Sequence, residues 1–158
     1  MSRPRRLLAT WALVALVAAP LRAGEADEAS MDILLGTLRS NKKALVDVNL
    51  ALTNDEARAF WPVYERYQAD LNAVQDRLVQ VIQEYKANFG SMSHEKAREL
   101  VAQYLAAEKD RAAVRGRYLE PVSEALPGRK VMRFYQIENK IDAVLRYQLA
   151  AEIPVVEQ

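Results

Sequence analysis

Metal binding and nucleophilic catalysis draw on a short list of side chains, and this chain is poor in them. Cysteine is absent and histidine occurs once, as His94. Without cysteine there is no disulfide, no thiolate metal site, no cysteine nucleophile and no lipid-modified cysteine of the lipoprotein type. One histidine makes no histidine cluster, and the spacing of the carboxylates singles out no oxygen-ligand site. No glycine-rich phosphate loop occurs. His94 follows Ser93, a predicted helix cap, in a short turn where an ordinary exposed histidine is expected. Catalysis needs a nucleophile, a base or a metal converging in a pocket. The expectation is therefore a non-enzymatic protein with no catalytic residue, no metal and no cofactor.

Recognition of other proteins uses different residues, and these are present. Tyr64, Tyr67, Tyr85, Tyr104, Tyr118, Tyr135 and Tyr147 all fall in predicted helices. Tyrosine couples a large apolar ring to a polar tip. Either the rings line a seam between helices, or Tyr64, Tyr67 and Tyr118 face a partly wet concave surface that contacts polypeptide. Arg129, Lys130 and Arg133 open the last predicted helix. Cations there oppose the helix dipole, at about 0.3–1 kcal/mol each when exposed. Their expected partners are Glu120 or Glu124 just upstream, or an acidic surface of another protein. The mixed charges of Glu108, Lys109, Asp110, Arg111, Arg115 and Arg117 read as a solvated helix face, as do Glu138, Asn139 and Lys140.

Helices must position these groups, because strand signals are nearly absent. Met31 to about Val48 carries Leu34, Leu38, Leu45, Val48 and Leu52 at helical steps and runs into a loop. Thr53-Asn54-Asp55-Glu56 has the form of a capping box. The helix it starts carries Phe60, Tyr64, Tyr67, Leu71, Val74, Leu78, Val81 and Tyr85 at alternating steps of four and three. Asn54 to Asn88 predicts a rod of about 52 Å. Phe89 to Ser93 predicts a turn, with Gly90 in the left-handed conformation. Ser93 caps a third helix bearing Leu100, Tyr104, Ala107, Arg111, Val114 and Tyr118. Leu126-Pro127-Gly128 is the next break, and a last helix runs from about Arg129 to Ala151.

A short turn makes the two middle helices antiparallel neighbours. Centring the turn near residue 91 sets Pro62 opposite Pro121, where two kinks at one level would bend the hairpin. It also sets Arg111 beside Asp70 and predicts a contact between them. The fold class is all-α: a long bent antiparallel helical hairpin with additional N- and C-terminal helices packed against its base. Apolar surface on Trp61, Val79 and Ile82 predicts a homodimer.

The N-terminus reads as an address. Arg3, Arg5 and Arg6 precede thirteen uncharged residues, Leu7 to Ala19, and Pro20 ends the run. That is the layout of a signal peptide, residues 1–23, with cleavage after Ala23 or Ala26. As a helix the run spans about 20 Å, short of the roughly 30 Å hydrocarbon core, so a retained anchor is the weaker reading. The general secretory route is expected over the twin-arginine route that Arg5-Arg6 alone suggests. Residues 24–158 form one domain, with no stable membrane span and a periplasmic location. Removing Arg3, Arg5, Arg6 and Arg22 leaves 18 bases against 21 acids, which gives no electrostatic case for nucleic-acid binding.

Two stretches echo each other at an offset of 74. Leu52-Thr53-Asn54-Asp55-Glu56 is followed by Phe60-Trp61, and Leu126-Pro127-Gly128-Arg129-Lys130 by Phe134-Tyr135. The pattern resembles the Spy/CpxP group of bacterial periplasmic proteins, which carry two LTxxQ motifs at helix starts. Leu52, Thr53 and Glu56 match the first motif with Glu in place of Gln, and the second keeps Leu126. Phe60-Trp61-Pro62-Val63-Tyr64 is also similar to an FWPVY-like stretch in short exported helical proteins related to periplasmic metal-resistance sensors, although the histidines of those sensors are missing. The resemblance implies a curved helical hairpin that dimerises and acts in envelope stress. It implies a chaperone or stress-response modulator that binds unfolded or envelope proteins. The alternatives are a specific signalling partner of a membrane-bound sensor or anti-sigma factor, and a metal-responsive sensor.

Overall fold

The computed structural model describes residues 40–151 and 153–155. The expected signal peptide and residues 31–39 of the expected first helix lie outside the described residues. Within them the chain is helical: α1 over residues 40–50, α2 Asn54–Asn88, a short 3-10 turn Phe89–Ser91, α3 His94–Arg117, α4 Leu119–Ala125 and α5 Gly128–Ala151. The all-α expectation holds.

Each boundary has a local cause. The Thr53 side chain accepts from the Glu56 backbone N–H while the Glu56 carboxylate accepts from the Thr53 N–H, so both halves of the capping box are made. Asp55 and Glu56 place negative charge at the positive end of the α2 dipole. Pro62 lies inside α2, which continues through it. Its missing N–H leaves the Arg58 carbonyl without a helical donor, and both residues are exposed, so water can serve that carbonyl. At the other end no described glycine has a positive φ. The left-handed Gly90 expected there is replaced by the 3-10 turn, with Phe89 still right-handed at φ −52. Ser93 caps α3 by accepting from the Lys96 N–H at 3.1 Å.

The third helix is shorter than its apolar pattern suggests. It ends at Tyr118, whose ψ is near 0, and the chain restarts as α4. Pro121 explains the break. Its ring would clash with the carbonyl four residues back, and it tolerates the first turn of a new helix, where an N–H has no helical acceptor. Pro121 thus puts a joint in the returning arm, while α2 continues through Pro62 as one helix.

α2 and α3 are antiparallel, tied by Glu84–Lys96, Arg77–Asp110 at 2.9 Å and Asp70–Arg117 at 2.7 Å. α5 then runs parallel to α2. Lys130 meets Glu56 near the start, Phe134 stacks edge-on to Phe60 with centroids 5.2 Å apart, and beyond the end of α5 the Pro154 carbonyl accepts from Tyr85. The C-terminal helix thus lies along the hairpin instead of only at its base. α1 lies on α2 and α5. Lys43 bonds Glu65 at 2.8 Å with its ammonium 5.1 Å from the Trp61 ring centre, and Lys42 bonds Glu138 at 2.8 Å. Val46 and Leu50 of α1, Phe60, Tyr64, Tyr67 and Val74 of α2, Val114 of α3, Val122 of α4 and Phe134 of α5 form one apolar cluster.

The predicted Arg111–Asp70 contact does not form. Asp70 accepts instead from Arg117 and from the Tyr118 hydroxyl, both at 2.7 Å. Arg111 faces α5 and pairs with Asp142, and with Glu108 one turn back. Treating the hairpin as two helices left α5 out, and α5 supplies the nearer carboxylate.

Candidate protein-binding surface

The echoing starts of α2 and α5 become a side-by-side pair. Leu52 is partly buried and Leu126 buried at the two starts. Residues at the offset of 74 then touch each other directly, Glu56 with Lys130 and Phe60 with Phe134. Lys130 also donates to the Ala51 carbonyl at 2.9 Å. The hydrogen bond from Lys130, with that from the Thr53 backbone, holds the Glu56 carboxyl below its ordinary range. Lys130 is thereby a structural cation. Its partner is neither Glu120 nor Glu124.

The aromatic residues expected at a binding surface go inside. Tyr64, Tyr67 and Tyr118 are buried, so the seam reading describes them and the concave-surface reading does not. Tyr67 packs edge-on against Tyr118 at 5.3 Å and Phe134 at 5.6 Å. Burial, and then the charge of Glu138, pushes the Tyr64 and Tyr67 phenols well above their ordinary range. Tyr67 contributes a buried hydroxyl that lies beside the Glu138 carboxylate without a well-formed hydrogen bond. Trp61 is half-covered, packed on Phe60 and Tyr64 and roofed by Lys43. Ile82 is buried within the chain and Val79 half-buried. The apolar surface that predicted a dimer is therefore largely covered by the chain itself.

A polar layer crosses the same bundle. Glu138, expected in solvent, is 2% exposed and is satisfied by Lys42 and by Gln68 Nε2 at 3.3 Å. Its place could be read from the sequence: it lies four residues after Phe134, on the apolar stripe and not across from it. Beside it, Arg111 and Arg146 share Glu108, and Arg111 takes Asp142. These hydrogen bonds and charges, Asp142 first, outweigh the cost of burying Arg111 and raise its affinity for the proton. The layer is thus charge-paired from within, with Arg111 Nε a buried donor left without a partner among the described residues.

The outer side of α5 is different. Arg129, Arg133, Gln136, Lys140, Ala143 and Tyr147 recur at steps of 4, 3, 4, 3 and 4, and every one is exposed. Arg129, Arg133 and Lys140 have no acidic partner among the described residues. Tyr147, toward the far end of the stripe, is 77% exposed, and Met132, beside Arg129 and Gln136, is 62% exposed. The stripe contains no acid. It is a basic, partly apolar face with the geometry of one helix side. Arg129 and Arg133 were expected at such a face. Lys140, Met132 and Tyr147 were missed, although continuing the four-three step from Arg133 reaches both Lys140 and Tyr147.

His94 is exposed in the first turn of α3. Among the described residues no group of three or more His, Cys, Asp or Glu side chains could hold a metal ion, and no helix is long and apolar enough to cross a membrane. No protein-family model, curated protein or solved structure matches the chain.

Proposed function

We propose that this chain is an exported, non-enzymatic protein of the bacterial envelope. It acts as a holding chaperone or stress-response modulator of the Spy/CpxP kind by binding unfolded or envelope proteins. The observation that carries the reading is the outer stripe of α5. Three cations without acidic partners among the described residues, with Met132 beside Arg129 and Tyr147 two turns beyond Lys140, suit an extended polypeptide that exposes apolar and acidic groups together. Ring and methionine contacts require no sequence code, and surface cations raise encounter rates with acidic chains in a salt-dependent way. Arg3, Arg5, Arg6 and the uncharged run Leu7–Ala19 support export.

The test is suppression of aggregation of an acidic, chemically unfolded client, without ATP, at near-stoichiometric ratio. Wild type is expected to suppress, and the exposed double variant Arg129→Glu/Arg133→Glu to lose most of that effect while keeping its melting temperature. Suppression should also weaken as salt rises. A folded wild-type protein that suppresses nothing would overturn the reading. The stripe presents one helix face of fixed register, which also suits a single acidic helix. Cross-linking to one stoichiometric membrane protein would favour the specific signalling partner over the chaperone.

A further inference from the structure

We infer that α1 exchanges between two copies of this chain, each copy's α1 filling the α2–α5 groove of the other. The groove is already known to accept this helix. Lys42, Val46 and Leu50, at successive steps of four, enter it with a cation on the buried Glu138 and two buried aliphatic side chains. Lys43 adds the exposed bond to Glu65 and the contact over Trp61.

The connection is where the closed form is under stress. Only Ala51, Leu52 and Thr53 separate α1 from α2, and Ala51 sits at φ +46. That is the left-handed region, which suits glycine and penalises a residue with a Cβ. Alanine is also the strongest helix former, so the local preference at the hinge opposes the turn it makes. A straight hinge would join α1 and α2 into one helix. In that helix the carbonyls that end α1 and the N–H groups that begin α2 bond each other, which replaces the Thr53–Glu56 capping box and the Lys130 bond to the Ala51 carbonyl.

A straightened α1 points away from its own groove. Leaving the groove empty would expose Phe60 and Trp61 and strip Glu138 of its ammonium partner. A buried carboxylate without a partner is costly. Reciprocal exchange restores the groove contacts of Lys42, Lys43, Val46 and Leu50 in a second copy and relaxes both hinges. α1 and α2 are antiparallel, with Lys43 against Glu65, so the same pairing forms between chains about a two-fold axis near Asn54. The outer stripe of α5 stays exposed in either form, so the inference stands apart from the proposed client surface.

The absence of cysteine makes the test clean. One copy carries Lys43→Cys and another Glu65→Cys, both at exposed positions. The two are unfolded together, refolded, and treated with a short bismaleimide. Exchange gives a cross-linked heterodimer, and light scattering of the wild type gives a dimer. Ala51→Gly removes the penalty of the closed hinge in both chains and is expected to weaken that dimer about thirtyfold. A wild type that is monomeric at every concentration would overturn the inference. So would a dimer in which the mixed copies never cross-link while the double variant cross-links within one chain.

Discussion

Ala51, Tyr67 and Glu138 each hold a state that their residue type does not prefer. Ala51→Gly is expected to stabilise the closed monomer by about 1 kcal/mol, net of the extra freedom glycine gives the unfolded chain. Its denaturant midpoint, measured under dilute conditions, would check this. Tyr67 buries a hydroxyl beside Glu138 without a well-formed hydrogen bond. Removing such a group relieves a desolvation cost, so Tyr67→Phe is expected to raise stability by about 1 kcal/mol in urea unfolding. A loss of stability instead would show that the hydroxyl is bonded in solution. Lys42→Met leaves Glu138 buried without its cation and is expected to cost about 3 kcal/mol by the same measurement. None of these states is visible in residue type alone. The left-handed Ala51 follows from where α1 must land. The orphaned hydroxyl follows from how four helices meet around Tyr67.

The helices were the most legible level. The capping box and the heptad stripe placed α2 at Asn54–Asn88, and Ser93 placed the start of α3. These signals are local, made by residues a few positions apart on one helix face. What was not local was misread. Pro121 ends α3 at Tyr118, but the apolar steps carry on through it, so the pattern hid the joint. Arg111 was assigned to α2 because the register of a two-helix hairpin cannot show that a third helix arrives with Asp142. Gly116 lies one residue inside the end of α3, is exposed, and has open space where a Cβ would sit. Gly116→Ala is therefore expected to stabilise α3 by about 0.5–1 kcal/mol, seen as a higher melting temperature with unchanged helical circular dichroism.

Across the described residues, ionisation limits stability at both ends of the pH scale. Glu56 and Asp70 are held below their ordinary values, Glu56 by the Lys130 bond and Asp70 by the Tyr118 hydroxyl and Arg117. A depressed carboxyl contributes stability above its unfolded value and loses it as pH falls through the folded one. Glu56→Gln should flatten the acid side of a melting-temperature profile below about pH 4.5. Tyr64, Tyr67, Tyr118 and Tyr135 are shifted the other way, mainly by burial. Their contribution is complete below the unfolded tyrosine value and disappears as the folded phenols ionise. Melting temperature should therefore fall above about pH 10. Tyr67→Phe should blunt that alkaline fall in melting temperature, with phenolate absorbance in the near ultraviolet reporting the ionisation alongside it.

The candidate surface was legible only in part. Arg129 and Arg133 stood out by type and spacing. Lys130 stood out equally and proved structural, because a cation opposing a helix dipole is satisfied wherever a carboxylate arrives, here from α2.

The parallel pairing of α2 with α5 also sets an order of events in time. Glu84–Lys96 is closed by a short turn, whereas Phe60 reaches Phe134 across 74 residues. Loops that close early cost less chain entropy, so the α2–α3 hairpin zips first from its turn and α5 docks late. For that interval the newly made chain would carry Phe60 and Tyr64 without the Phe134 ring that packs on them. Substitutions at Leu100 and Ala107 should therefore slow refolding, while Phe134→Leu should chiefly speed unfolding in stopped-flow chevrons.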